Sequence, residues 1–310
     1  MEMDHKGEKM GVIYAAFSYL IWGLLPIYWK LLDGIGADEI LASRIVWSFL
    51  FMIAVLLITR KWSSFIVTLK NLFKNKKQLV FLTTASVLVS CNWFIYIWAV
   101  NHDQIIEASM GYYINPLVSV LLGMIVLKEK LSAAQYVSFF FASIGVIILT
   151  ASYGMLPWIS LSLAFTFGFY GLAKKMIKVD SSIGLTLETL VITPIAFIYI
   201  LYLFSQGTNT FLTVSVKTDL LLILSGAATA IPLLYFAKGA QRIPLSMLGY
   251  IQYLAPTISL VLGVFVYREH FSTGHMIAFS FIWFALIIYS LSNTKFMKRE
   301  KQKRKSIKEA

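Results

Sequence analysis

The amino-acid sequence predicts an all-α integral membrane protein in which ten transmembrane helices form two inverted five-helix repeats. Hydrophobic residues make up 58% of the 310 residues, charged residues make up only 14%, and the mean hydropathy is +0.75. A water-soluble protein of this length would have too little polar covering for its surface. A series of long apolar segments and an internal repeat complete the prediction.

The internal repeat joins two segments that lie 140 residues apart. The first contains Tyr113, Pro116, Ser119, Leu122, Gly123, Val126, Glu129 and Ser132, which recur as Tyr253, Pro256, Ser259, Leu262, Gly263, Val266, Glu269 and Ser272. Each copy belongs to a half with an odd number of spans, so the second half must enter the membrane in the opposite orientation. Inverted repeats are typical of secondary transporters, which open one midplane site to either side in turn.

The first predicted span runs from Gly11 to about Leu32. It is long enough to cross a hydrocarbon layer about 30 Å thick, which takes about twenty helical residues. Two lysines precede it, as they would in a secretory signal. Bulky Trp22 and Tyr28, and the lack of a small-x-small cleavage pattern at its end, indicate a retained span instead.

The other spans are predicted from apolar stretches of similar length. They begin near Asp38, Leu79, Ile105, Ala134, Leu156, Ser182, Asp219, Ile243 and Thr273. The connector over residues 60–78 has aromatic and leucine residues at helical spacing beside lysines, which predicts an interfacial helix. The predicted organisation is therefore a tail over residues 1–10, repeats over 11–152 and 156–293, and a basic tail over 294–310.

The distribution of basic residues predicts the orientation in the cell membrane. With the N-terminus in the cytoplasm, 23 of the 27 lysines and arginines fall in cytoplasmic segments, and the exceptions are Lys30, Arg44, Lys217 and Arg268. Such an asymmetry places both termini in the cytoplasm. It also explains the net charge of +12 without nucleic-acid binding, which we do not expect.

Several chemical functions are disfavoured by what the sequence lacks. One cysteine, Cys91, excludes an internal disulfide framework and a cysteine-rich zinc site. The histidines lie in the N-terminal tail or near span boundaries, and the HExxH and GxSxG motifs are absent. A GxxxxGK[ST] phosphate loop is absent as well. We therefore predict no catalytic residues, no metal site and no cofactor.

The chain resembles the drug/metabolite transporter superfamily over nearly its whole length. The resemblance rests on the Pro-x2-Ser-x3-Gly-x5-Glu pattern that ends the fourth and ninth spans, and on the phrases Arg44-Ile-Val-Trp-Ser-Phe and Glu188-Thr-Leu. Within the superfamily it is similar to the RarD branch of the EamA group. RarD-like proteins are labelled as permeases, sometimes as chloramphenicol-sensitive, so the resemblance implies transport without identifying a substrate.

Arg44 and Glu188 are the charged residues placed most clearly within spans. A charge at a helix centre costs roughly 2.5 to 3.5 kcal/mol on insertion scales, and such residues tend to be functional. The alternative for both is snorkelling toward water, since Arg44 lies about six residues from a span end and Glu188 lies about as close to the other end, although its shorter side chain makes this harder. The two residues are near-equivalent in the repeat, so inversion predicts that they lie toward opposite faces and serve opposite gates.

Polar and aromatic residues at helical spacing are candidates to line a substrate cavity or to join helices. Together with Arg44 and Glu188, the candidate lining residues are Asn92, Trp93, Tyr96, Tyr112, Asn115, Tyr170, Tyr250, Gln252 and Tyr253. Hydrogen bonds between helices, worth around 0.6 kcal/mol each, are the alternative role for the amides. Lys30 and Lys175, each seven residues after a glycine, are predicted as boundary anchors.

Small residues and prolines form a second set, for which we predict helix packing or hinges. The set comprises Pro116, Ser119, Gly123, Pro194, Pro232, Pro256, Ser259 and Gly263. The Ser-x3-Gly patterns permit close approach of backbones, which favours packing of the fourth span against the ninth. Proline removes a helical hydrogen bond and therefore permits a kink.

These observations favour a carrier that moves a small organic solute, such as a metabolite, an amino acid or a drug-like compound, by alternating access. The expected partners are that solute and membrane lipid. A non-transporting sensor or scaffold on the same fold, and a membrane-embedded enzyme, are the alternatives. The substrate, the direction of transport, the coupling ion and the oligomeric state remain open at this point.

Overall fold

The computed structural model describes residues 2–102, 104–151, 157–266, 268 and 273–292, and all regular secondary structure in these ranges is helical. The helices are α1 (Glu2–Trp29), α2 (Ala37–Ile58), α3 (Trp62–Leu72), α4 (Lys76–Asn101), α5 (Ile105–Ile125), α6 (Ala133–Ala151), α7 (Trp158–Met176), α8 (Ser181–Gln206), α9 (Val216–Ala240), α10 (Leu245–Gln252), α11 (Leu254–Val261) and α12 (Thr273–Ser292). A 3₁₀ turn, Lys30–Leu32, follows α1, and a π-helical segment, Leu262–Val266, follows α11.

Nine helical segments of the described chain are long and apolar enough to cross a membrane, with α10, α11 and the π-helical segment forming one of them. The predicted all-helical membrane fold is confirmed. The sixth predicted span is α7, which has 19 residues but ends with Lys174 and Lys175, and it is not among the nine. The interfacial connector contains α3, and α1 extends back into the predicted tail. The second copy of the motif ends with Glu269 and Ser272, which lie outside the described residues, as do residues 294–310.

The long helices alternate in direction between two ends of the bundle. We call the end at which α1 begins and α12 ends the terminal face, and the other end the opposite face. On the terminal face, Glu129 after α5 contacts the start of α10, and Lys61 after α2 contacts Asp180 before α8. On the opposite face, Glu39 at the start of α2 accepts hydrogen bonds from the backbone after α8.

Helix contacts follow the inverted repeat. Helix α1 packs against α9 and α11, and its equivalent in the second half, α7, packs against α4 and α5. Helices α6 and α12, the last of each half, pack against each other. Each half therefore makes equivalent contacts with the other. The two halves form one interlocked bundle, in which equivalent helices run in opposite directions.

Two glycines allow a matched pair of close contacts between the halves. A Cβ atom placed on Gly23 of α1 would lie 2.7 Å from Cβ of Ile258, and one placed on Gly168 of α7 would lie 2.7 Å from Cγ1 of Val118. Val118 and Ile258 are themselves 140 residues apart. Since neither glycine leaves room for a side chain, the same close approach occurs on both sides of the pseudo-symmetry axis.

The motif glutamate Glu129 holds the start of α10. Its carboxylate accepts hydrogen bonds from the backbone N–H of Leu245 at 2.7 Å and from N–H and Oγ of Ser246 at 2.8 and 2.6 Å. An anion is favoured at a helix N-terminus, where the first N–H groups lack helical partners. Gly123 makes room, since a Cβ there would lie 2.7 Å from Glu129 Oε2. The glycine and the glutamate of the motif therefore act together.

We expect Gly226→Ala to destabilise the bundle. Helices α2 and α9 cross where Trp47 packs on Gly226, and Ser48 Oγ donates to the Gly226 carbonyl at 3.0 Å. A methyl group would overlap the Trp47 backbone, and overpacking of this kind costs about 1 to 3 kcal/mol. Thermal unfolding in detergent should show a lower midpoint. Gly184→Ala is the matched control, because the nearest atom lies 4.0 Å away; an equal loss in both variants would contradict this packing.

Asp180 should make stability depend on pH at the terminal face. Partial burial by itself would raise the pKa of this carboxyl, but hydrogen bonds from Lys61 and Ser182 outweigh burial and lower the pKa to about 2 from 3.8. A lowered pKa stabilises the folded state above the unfolded value of 3.8 and loses that effect as the pH falls to about 2.

Asp180→Asn, which can still accept hydrogen bonds at the helix start, should therefore lower the unfolding midpoint at neutral pH by a small amount, because the ion pair is partly exposed. The difference from the wild type should vanish in acid. A difference that is constant across this pH range would show that the charge of Asp180 makes no contribution.

Candidate functional site

Arg44 lies on α2, close to its crossing with α9, and its side chain points into the bundle. Its Nε donates to Thr229 Oγ1 at 3.1 Å. Thr229 lies nearly one turn beyond Gly226, the residue at the crossing, counted from the start of α9 on the opposite face. The guanidinium is thus directed away from the span end that snorkelling would require.

Aromatic rings surround this guanidinium. Its Cζ lies 5.0 Å from the ring centroid of Trp29 and 4.9 Å from that of Trp93, which are cation–π distances. Tyr96 and Tyr112 lie near enough to interact electrostatically with Arg44, and their rings are 6.2 Å apart. We call these five residues and Thr229 the Arg44 cluster. Thr229 comes from the second half, so the cluster is built by both repeats.

No described carboxylate pairs with Arg44. The ion pairs within the described ranges are Lys61–Asp180 and Lys174–Glu188. The hydrogen bond to Thr229 is the one that the described residues accept from this guanidinium, which leaves the N–H groups on Nη1 and Nη2 without a described acceptor. Tyr112 is 49% exposed, so the described protein does not cover this member of the cluster completely.

Glu188 lies on α8 and forms a buried ion pair that the sequence analysis did not predict. Its Oε1 accepts from Lys174 Nζ at 2.8 Å, and its Oε2 accepts from the hydroxyl of Tyr170 at 3.4 Å. The side chains of Lys174 and Glu188 are 1% and 2% exposed. Lys175, which neighbours Lys174 and was singled out from the sequence, donates to the backbone carbonyl of Ile243 at 2.6 Å.

The two charged sites occupy equivalent places in the two repeats. Glu188 follows Arg44 by 144 residues, and Lys174 follows Trp29 by 145. Each charged residue on the second span of its half thus contacts a residue near the end of the first span, Trp29 toward the opposite face and Lys174 toward the terminal face. The spacing of Lys174 from Trp29, equal to that of Lys175 from Lys30, was the signal that could have found this lysine.

An aromatic layer separates the two sites. It consists of Tyr19 and Trp22 of α1, Phe167 and Tyr170 of α7, and Phe236 of α9. Ring centroids of Trp22 and Phe167 are 5.7 Å apart, those of Phe167 and Phe236 are 5.4 Å apart, and Tyr170 stacks on Phe236 at 5.7 Å. Trp22 lies two turns before Trp29 of the Arg44 cluster, and Tyr170 contacts Glu188, so the layer extends from one site toward the other.

Other predicted lining residues lie on surfaces between helices. Asn92 donates from Nδ2 to the Leu163 carbonyl and to Thr166 Oγ1 of α7, each at 2.9 Å, so it joins α4 to α7. Gln252 accepts from the hydroxyl of Tyr19 at 3.3 Å. Two further buried atoms, Asn115 Oδ1 and Tyr253 Oη, have no hydrogen-bond partner among the described residues.

The structure places Tyr250 away from the Arg44 cluster. Its ring stacks on that of Tyr289 at 3.8 Å, and its hydroxyl donates to the Gln135 carbonyl at 3.0 Å. Successive residues on a helix are 100° apart, so Tyr250 and Gln252 point in different directions although they are close in sequence. Tyr250 therefore packs against α6 and α12 rather than facing the centre.

The predicted packing residues divide between two contacts. A Cβ placed on Gly249 of α10 would lie 2.7 Å from the Pro116 carbonyl and 3.1 Å from Ser119 Cβ, so these residues of α5 meet α10. Ser259 donates to the Gly23 carbonyl of α1 at 3.3 Å and so does not face α5. The contact between the fourth and ninth spans thus uses Gly249, which the Ser-x3-Gly pattern did not single out.

The predicted hinge residues lie in different backbone settings. Pro116, Pro194 and Pro232 lie inside continuous helices. Pro256 follows the interruption between α10 and α11 at Tyr253, and Gly263 lies in the π-helical segment. The ninth span is therefore broken where its equivalent in the first half is continuous.

Comparison with known proteins agrees with this architecture. Residues 9–151 match the EamA-like transporter family. The chain is 51% identical over 299 residues to "Uncharacterized transporter YojE" of Bacillus subtilis (strain 168), covering 96% of this chain and 99% of that protein. It is 41% identical over 287 residues to "Protein RarD" of Escherichia coli (strain K12), covering 93% and 96%.

A solved structure described as "Crystal structure of protein" shares the fold, with a TM-score of 0.69 at 17% identity, and covers 91% of this chain and 97% of that one. The sequence relatives extend over nearly the full length of both halves, although the family match itself covers the first half. The chain therefore belongs to the EamA-like transporter family, in the RarD-like group of the drug/metabolite transporter superfamily.

Proposed function

We propose that this protein is a secondary transporter that moves a small organic solute, such as a metabolite, an amino acid or a drug-like compound, across the cytoplasmic membrane by alternating access. Its relatives are named as transporters or as RarD, which supports transport in general. The observation that carries the specific proposal is that the Arg44 cluster is assembled from both inverted repeats. A site shared in this way changes its access when one repeat moves against the other.

The side chains that lie between the Arg44 cluster and the terminal face support alternating access. The aromatic layer and the Lys174–Glu188 pair lie between the Arg44 cluster and that face. Aromatic pairs contribute about 0.5 to 1.5 kcal/mol each beyond their buried area, so this closure is held by several modest contacts rather than by one strong contact. Moving α1 and α9 away from α7 would separate the aromatic rings of this layer.

The equivalent contacts that each half makes with the other would permit the second conformation of the transport cycle. Because α1 meets α11 through Gly23 as α7 meets α5 through Gly168, a rocking motion can tighten one contact while it loosens the other. In the proposed orientation both termini are cytoplasmic, so the terminal face is the cytoplasmic one. The energy would come from the gradient of the solute or of protons, and Glu188 is the candidate proton carrier.

Counterflow in proteoliposomes tests the proposed function. Vesicles loaded with an unlabelled panel of metabolites, amino acids and antibiotics should accumulate at least one matching labelled solute faster than empty vesicles. Arg44→Gln should reduce that uptake by about tenfold or more, the effect of losing charge-assisted hydrogen bonds, while the protein stays folded.

Arg242→Gln is the matched control. This arginine also lies over an aromatic ring, that of Tyr14 at 5.3 Å, but it is exposed at the terminal face. Its uptake should equal that of the wild type. Absence of counterflow for every solute would contradict transport, and wild-type uptake by folded Arg44→Gln protein would contradict a role for Arg44 in it.

The buried ion pair should dominate the effect of substitutions at Glu188. Glu188→Gln leaves the charge of Lys174 buried without a carboxylate, and breaking a buried pair costs about 3 to 5 kcal/mol. The double variant Glu188→Leu with Lys174→Met should recover most of that loss, since no charge stays buried. Unfolding midpoints in detergent measure both effects. If Glu188→Gln is as stable as the wild type, the pair does not hold the terminal face closed.

A further inference from the structure

The guanidinium of Arg44 has capacity for an anion that the described protein does not use. Each arginine presents five N–H donors, and here one of them, on Nε, reaches an acceptor in the described residues, Thr229. The contacts with Trp29 and Trp93 are cation–π contacts, in which Cζ lies 5.0 and 4.9 Å from the ring centroids. The remaining donors of the guanidinium, on Nη1 and Nη2, have the fork geometry that matches a carboxylate.

The described acidic side chains on the opposite face accept hydrogen bonds from groups other than Arg44. On the opposite face, Asp38 accepts from the hydroxyl of Tyr199, and Glu39 accepts from the backbone of Thr210 and Phe211. Glu107 accepts from the backbone N–H of Ile159 at 2.7 Å. Within the described chain, none of these carboxylates reaches Arg44. A cation at this depth without a counter-ion is costly, and a bound anion would offset that cost.

The equivalent site in the second half supports the same conclusion. There the charge on α8, Glu188, is neutralised by Lys174, which occupies the place of Trp29. In the first half a tryptophan stands where a carboxylate would complete the pair. Among the described residues, the repeat therefore has one charge that an ion pair neutralises, that of Glu188, and one that has no described counter-ion, that of Arg44.

We propose that Arg44 binds a carboxylate of the transported solute, and that the substrates are small organic monoanions with an aromatic or apolar body. This inference rests on the proposed function and names its substrate class. The single positive charge of the Arg44 cluster matches a monocarboxylate, whereas a phosphate monoester carries about −1.5 to −2 charges near neutral pH. Trp29, Trp93, Tyr96 and Tyr112 would contact the apolar body of the solute, and Tyr112 is 49% exposed.

Calorimetry on the full chain in lipid-free detergent tests this inference. The probes are a series of aromatic and aliphatic monocarboxylates, each paired with its primary amide, for example 3-phenylpropanoate with 3-phenylpropanamide, together with phenyl phosphate and phenethylammonium. Carboxylates should bind about tenfold or more tightly than their amides, because the charge-assisted hydrogen bonds are lost in the amide. Arg44→Gln should abolish that preference, and Arg242→Gln should preserve it.

The outcomes separate the substrate class from transport itself. No carboxylate binding, or equal binding of acid and amide by the wild type, would overturn the inference. Competition by added phosphatidylglycerol at similar concentration would overturn it as well, since it would identify a lipid headgroup as the anion. Neutral or cationic solutes that show Arg44-independent counterflow would leave the transporter standing without its anion site. Carboxylate binding without counterflow would keep the site and contradict transport.

Discussion

The close packing of helices from opposite repeats is the constraint on which the rest of the structure depends. Equivalent helices of the two halves run in opposite directions, so a contact between the halves can recur near the other face. The contact of Gly23 with Ile258 recurs in this way as that of Gly168 with Val118, and a side chain on either glycine would prevent the approach. In the transport that we propose, loosening one of these contacts while the other tightens would give the bundle its second arrangement.

The charged residues of the two repeats differ, although they lie at equivalent places in the fold. Arg44 and Glu188 occupy equivalent places, but Glu188 is paired with Lys174 behind an aromatic layer, whereas Arg44 lies among tryptophans and tyrosines without a described carboxylate. In the function that we propose, the same scaffold position serves as a closure on one side and as a ligand site on the other.

The helical membrane fold and its two inverted halves could be predicted from the sequence, because the repeat and the long apolar segments can be recognised from residue spacing and hydropathy alone. The cost of a charge in hydrocarbon likewise singled out Arg44 and Glu188. Lys174 was missed because two adjacent lysines end α7, and only the three-dimensional packing decides which one turns inward. Tyr250 was misplaced for a related reason, since a short motif does not fix the rotation of a helix. The break at Tyr253 depends on how the ninth span meets its neighbours, which no local pattern encodes.

Accessibility of the Arg44 cluster from the two sides of the membrane tests the central claim most directly. Tyr112→Cys, made in a Cys91→Ser background because Cys91 is exposed, places a thiol at the exposed member of the Arg44 cluster. A membrane-impermeant maleimide applied to oriented vesicles should label this thiol from either side. Solute should change the ratio of the two labelling rates. Labelling from one side alone, with and without solute, would contradict alternating access to a site shared by the two repeats.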